Sequence, residues 1–139
     1  MPTEQTLEQL RSLLRELCRL PDETEWVEFK DSNADAPMIG EYISALANSA
    51  ALLGKQVGYL VWGVDDKTHQ VLGTSFKPKQ ERYKQQELES WLLQKLSPKI
   101  HFRFHDFLTE EEIPVVILEI QPATHTPVQF DGSELDRKS

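Results

Sequence analysis

Val57-Gly-Tyr-Leu-Val-Trp-Gly-Val64 is an almost continuously apolar run of strand length, set between Gly54-Lys55 and Asp65-Asp66-Lys67-Thr68. A run without polar alternation belongs to a strand covered on both faces, and so to a central place in a sheet. Immediately upstream, Met38 to Leu53 carries Ile39, Tyr42, Ile43, Leu46, Ala47, Ala50 and Leu53 on one helical face, and its alanines allow close approach to that sheet. Ser32 to Pro37 ahead of it is a polar linker. Glu25 to Lys30 alternates, placing Val27 and Phe29 on one face and Trp26, Glu28 and Lys30 on the other.

Downstream, Asp65 to Thr68 has the composition of a hairpin turn, with His69 to Gly73 as the returning strand. Leu88, Trp91, Leu92 and Leu96 resume helical spacing until Ser97-Pro98 ends it. Ile100 to Leu108 alternates, Thr109 to Glu112 turns, and Ile113 to Ile120 returns as an antiparallel partner. Pro114 lacks a ladder donor, which puts it at a strand start or on an edge. Val128 to Phe130 reads as one more short strand. At the N-terminus, Leu7, Leu10, Leu13, Leu14, Leu17 and Leu20 form the apolar stripe of an amphipathic helix over Thr3 to Leu20, stopped by Pro21. The expected fold class is α+β, a mixed, largely antiparallel sheet with about three helices. The expected organisation is a helix over 1–21, a domain over 22–132 and a disordered tail over 133–139.

With 139 residues the chain can bury one hydrophobic core. Its 15 Lys and Arg against 23 Asp and Glu give a net charge of -8, which repels a polyanion at long range. Nucleic-acid binding therefore requires a local basic patch or a metal. The single cysteine, Cys18, lies among leucines as a small core residue and forms no disulfide within the chain, consistent with a reducing, cytoplasmic compartment. No apolar run is long enough to span a bilayer, so a membrane is not an expected partner.

Glu23-Thr-Glu-Trp-Val-Glu28-Phe-Lys30 and the Asp65-Asp66 pair after the central strand can bring three carboxylates to one place. Such a cluster raises its own pKa values unless a cation, a proton or a basic partner offsets the repulsion. Alternatively, Glu23 is solvated, Glu28 pairs with Lys30, and the two aspartates form a turn. Lys77, Lys79, Arg82 and Lys84, interleaved with Phe76 and Tyr83, make the one concentrated basic segment, suited to phosphate contacts with an aromatic stacked on a base, or to a solvated loop. His101 and His105 are about 13 Å apart on an extended strand, too far to share one zinc ion. No P-loop and no Gly-x-Ser-x-Gly nucleophile motif is present.

Glu23-x4-Glu28-Phe-Lys30, Ile43-Ser-Ala-Leu-Ala-Asn48-Ser, Gly58-Tyr-Leu-Val-Trp-Gly63-Val-Asp65 and Val71-x-Gly73, followed more loosely by Pro98, Val115 to Pro127 and Phe130-Asp-Gly132, resemble the Schlafen-type AlbA-like domain. The resemblance implies a nucleic-acid-binding module, DNA or RNA, of a bacterial transcriptional-regulator-like protein. It implies a homodimer, because eukaryotic Schlafen proteins pair two such units in one chain. RNA-cutting relatives carry an acidic triad thought to use divalent metal, which maps onto Glu23, Glu28 and Asp65, with Asp66 the less favoured third member. Mg2+ or Mn2+ would then be the cofactor, bound through oxygen ligands, and the chain an endoribonuclease acting on structured RNA such as tRNA. Lys30, Lys77, Lys79, Arg82 and Lys84 are the candidate nucleic-acid contacts. Members without nuclease activity are common. A third function, from the acidic net charge, is a protein-interaction or dimerisation domain. Two departures stand out: Lys55-Gln-Val57-Gly58 replaces a glycine pair, and Ser133 to Ser139 replaces an aromatic, Arg and Gly-Ser continuation, as in a shortened end or a piece of a longer protein.

Overall fold

The computed structural model describes residues 5–21 and 24–131. The elements in chain order are α1 (Leu7–Cys18), β1 (Val27–Lys30), α2 (Ala36–Leu52), β2 (Gly58–Trp62), β3 (Arg82–Tyr83), β4 (Gln86–Glu87), α3 (Leu88–Lys95), β5 (Leu96–Ser97), β6 (Phe102–Leu108), β7 (Pro114–Ile120) and β8 (Gln129–Phe130). The main sheet has the order β1-β2-β7-β6, with β1 parallel to β2 and the other two pairings antiparallel. Among the described residues this is the mixed, largely antiparallel α+β fold with three helices. The expected tail over 133–139, together with Glu23, lies outside the described residues.

The apolar run of β2 is central, as its composition requires. Leu60 and Trp62 point to the α2 side with Ile39, Ile43, Leu46, Val116 and Leu118, while Val61 points to the α1 side with Leu14, Leu17, Val27, Phe29 and Ile117. All three central side chains are fully buried. Thr6 starts α1 through a capping box, its hydroxyl accepting from the Gln9 amide while the Gln9 side chain accepts from the Thr6 N–H. Helix α2 begins earlier than the linker composition suggests. Asp35 caps it, and Pro37, in the first turn, supplies a preset φ where no N–H is needed.

Other differences have local causes. Strand β1 begins only at Val27, so the alternation does not extend to Trp26, which turns to the α1 side and meets Tyr59 at 6.1 Å between ring centroids. The segment after the 65–68 turn makes one bridge, Val64 to Val71, instead of a returning strand. Gly63 and Gly73 both adopt positive φ, the Leu72 and Gly73 amides both donate to the Gly63 carbonyl, and the chain then leaves for β7, where the Thr74 N–H reaches the Pro114 carbonyl. Pro114 itself opens β7, consistent with its missing donor. Residues 82–87, read as polar loop and helix start, form the small β3–β4 hairpin.

The C-terminal segment is fastened to α2. Asn48 donates to the Val128 carbonyl at 3.0 Å and accepts from the Val128 N–H at 2.8 Å. Two residues on, the Phe130 ring lies against Gly40, where any Cβ would collide with it, and β8 pairs with β5. The asparagine and the aromatic of the family-like motifs thus serve one docking contact.

Candidate nucleic-acid interface

Edge strand β1 places Glu28 and Lys30 on the α2 side, opposite Leu60 and Trp62 of β2. Beside this edge a recess of about 190 Å³ is lined by Thr24, Glu28, Asp66 and His69, among others. The Lys30 ammonium sits 4.7 Å from the centre of the Tyr42 ring. Its pKa is raised, chiefly by a hydrogen bond with Tyr42, with further contributions from the Glu28 and Asp66 charges and against a loss from burial. Glu28, Asp66 and Lys30 therefore share one electrostatic neighbourhood.

Asp65 is used differently. Its Oδ1 accepts from the Lys67 N–H at 2.8 Å and the Thr68 N–H at 2.9 Å, which lowers its pKa through hydrogen bonding to the charged form. That is the turn role open to aspartate from the sequence. The turn is anchored by His69, whose Nδ1 lies 3.1 Å from the Cys18 carbonyl and whose ring stacks on Phe29 at 4.4 Å. A carbonyl only accepts, so this nitrogen carries the proton. The carboxylate lining the recess with Glu28 is Asp66, not Asp65. Among the described residues no group of three His, Cys, Asp or Glu is arranged to hold a metal ion. Glu23 belongs to the undescribed pair between Pro21 and Thr24.

The basic segment is exposed along its length at Lys77, Lys79, Arg82 and Lys84. Lys79 is paired with Glu89 at 3.0 Å, and Arg82 donates to the Gln85 carbonyl at 2.8 Å. The hairpin tip holds Lys84 at φ 50° and Gln85 at φ 66°, the left-handed pair a tight type I′ turn demands, without the glycine or asparagine that adopts it most cheaply. The hairpin is seated on α3 by the Tyr83 ring, which meets Trp91 edge-on at 4.5 Å. Phe76 is unavailable for stacking on a base because it is buried against Trp62 at 4.7 Å. Tyr83 is half-buried and keeps part of its ring accessible.

A third polar cluster escaped the sequence reading. On the α1 side, Tyr59, Glu119 and Arg103 form a row across β2, β7 and β6, with His105 diagonal to Glu119. Glu119 Oε1 lies 3.0 Å from His105 Nε2, and Oε2 accepts from the Gln5 side chain at 2.7 Å. The His105 hydrogen bond is the main cause of a lowered Glu119 pKa, and burial pushes Tyr59 up to about 12. Strand register assembles this row, and no local motif announces it. The available signal was only a set of polar residues at alternate strand positions.

Comparison with known families matches residues 23–139 to the family described as Schlafen, AlbA_2. The chain belongs to this Schlafen AlbA_2 family. No curated protein matches it. The Schlafen AlbA_2 match begins at Glu23 and takes in β1, the 65–69 turn and the basic hairpin, and it supports a nucleic-acid-related role. Helix α1 precedes the matched region yet covers the α1 side of this Schlafen AlbA_2 sheet. Among the described residues no helix is long and apolar enough to cross a membrane.

Proposed function

We propose that the chain is a nucleic-acid-binding module of a bacterial transcriptional-regulator-like protein, contacting phosphates with Lys77, Lys79, Arg82 and Lys84, with Lys30 as an outlying contact, and acting as a homodimer. The observation that carries this reading is the β3–β4 hairpin, an exposed basic projection whose tip is held in a costly left-handed conformation on a chain that is otherwise strongly acidic. Family membership supports it. Phosphate contacts release counterions, so affinity for labelled RNA or DNA falls with salt, with a log–log slope of about -0.7 to -0.9 per phosphate neutralised. Changing Lys77, Lys79, Arg82 and Lys84 to Glu abolishes the gel shift if this basic segment is the contact. A shift retained in that variant excludes it. Because Glu89 already neutralises Lys79, Glu89→Gln strengthens binding. Light scattering that finds only monomer removes the homodimer.

A second function, divalent-metal-dependent cleavage of structured RNA such as tRNA, is favoured by Glu28 and Asp66 lining one recess. Their carboxylates are the hard oxygen donors that Mg2+ or Mn2+ prefers, with Glu23 or Asp65 to add a third. The bound ion would activate water and neutralise charge at the phosphate. Glu28 and Asp66 would hold it, and Lys30 would offset part of their charge. Incubation of tRNA with Mn2+ tests the assignment. Cuts that disappear in Glu28→Ala and Asp66→Ala support it, and cuts that survive both exclude it. Loss in Asp65→Ala alone returns the third position to Asp65.

A further inference from the structure

We propose that the recess beside Arg103, on the α1 side of the sheet, binds the phosphate group of a mononucleotide-sized ligand. The recess has a volume of about 240 Å³ and is lined by Gln56, Phe102, Arg103, His105, Glu119 and Gln121, among others. Ligand pockets usually fall in the range of roughly 300–1,000 Å³, so this one suits a phosphate with a single sugar or base attached.

The donors come from β6. Glu119 stands directly opposite Arg103 across the β6–β7 pair, and its two oxygens are already engaged by His105 and Gln5. The Arg103 charge acts on Glu119 at a distance, but its guanidinium makes no hydrogen bond or ion pair with any described residue. Balancing Glu119 therefore explains the charge of Arg103 and leaves its five N–H groups unused. Arg103 is half-buried at the wall of the recess, where its donors can take an acceptor. The planar fork matches a phosphate in two-point contact. The His105 nitrogen facing Glu119 must carry a proton, since a carboxylate accepts only, so both Glu119 oxygens at the recess are occupied by donors. Around the guanidinium, the side-chain amides of Gln56 and Gln121 offer hydrogen bonds to a base or sugar, while the Phe102 ring turns to the α2 side against Phe104. Gln121 is oriented by the His101 N–H, which donates to its Oε1 at 3.0 Å.

This site shares no residue with the hairpin or the β1 recess, and although Lys79 lines an adjoining recess with Arg103, variants of the hairpin residues Arg82 and Lys84 separate it from the proposed nucleic-acid contact. The test is titration of the 15N-labelled chain with uridine 5′-monophosphate, uridine, inorganic phosphate and a single-stranded oligonucleotide with hydroxyls at both ends, following backbone amides. The expected result is saturable movement of the His101–His105 and Glu119–Gln121 amides with the monophosphate, weaker movement with phosphate and none with uridine. Arg103→Gln weakens the monophosphate by about tenfold or more, as loss of a charge-assisted pair should. Arg103→Lys, which keeps the charge and the stem, falls between, and serves as the variant if the glutamine form does not fold. Changing Arg82 and Lys84 of the hairpin to Glu leaves the effect intact. An oligonucleotide that moves the same amides in an Arg103-dependent way assigns the phosphate to a nucleic-acid backbone. Equal movement with uridine, a monophosphate effect indifferent to Arg103, or no saturable movement at millimolar concentration overturns the proposal.

Discussion

Across β2, β7 and β6, the α2 side seals Leu60, Trp62, Phe104, Val116, Leu118 and Ile120 from solvent, whereas on the α1 side Val61, Val115 and Ile117 are sealed and Tyr59, Arg103, His105 and Glu119 stay half-buried. Helix length accounts for much of the difference. The 17 residues of α2 span about 25 Å and the 12 residues of α1 about 18 Å, while the seven-residue strands β6 and β7 extend about 23 Å. A helix shorter than the strands it crosses leaves part of their face uncovered, and polar residues occupy that part. The α2 side is additionally closed by α3 and by the 123–130 segment. One face is therefore a core, and the other is half core and half polar surface.

The sharpest way to break this comparison is Trp62→Ala. Trp62 is fully buried among Phe76, Phe104 and α2, and its indole N–H donates to the Asn33 carbonyl at 2.8 Å. The expected loss is about 3–5 kcal/mol in urea unfolding, larger than for any truncation in the polar row. Asn48→Ala comes next, at about 2–3 kcal/mol, because it strands both backbone groups of the buried Val128. Hydrogen exchange should then show early opening of the 123–130 segment with the main sheet intact.

Glu119→Gln tests the polar half and should cost about 1–2 kcal/mol at neutral pH. The folded protein lowers the Glu119 pKa, so its contribution is present above the unfolded value of about 4.3 and is lost as pH falls through the folded value. Thermal melts from pH 7 to pH 2 should fall more steeply in the parent chain than in the Gln variant. Parallel profiles would show that Glu119 is not coupled to folding. The smallest effect is expected for Arg15→Ala. The Arg15–Glu110 pair at 3.0 Å fastens α1 at an exposed margin, where an ion pair contributes about 0–1 kcal/mol, and its loss should vanish at high salt.

Much of the fold was legible because periodicity is local. The unbroken apolar run marked β2 as central, the leucine stripe marked α1, and alternation marked β6 and β7, all within four residues of the observed bounds. Failures arose where a single residue or a distant partner decides. Pro37 reads as a linker residue but starts a helix once Asp35 caps it. His69 to Gly73 has strand-like composition, yet two glycines at positive φ divert it toward Pro114. Phe76 sits within a basic stretch, and the chain path buries it beside Trp62.

The sequence by itself determined the three helices and the four strands of the main sheet, that β2 lies at the centre, that Glu28 faces away from Val27 and Phe29, and that Lys77 to Lys84 concentrate positive charge. Only the tertiary structure decided that Asp66 joins Glu28 while Asp65 closes its own turn, and that Gln5, Tyr59, Arg103, His105 and Glu119 meet at one end of the sheet. Local spacing fixes the face on which a side chain emerges. Its neighbours across strands are set by register and by where a helix ends, and both depend on contacts between residues as far apart as Gln5 and Glu119.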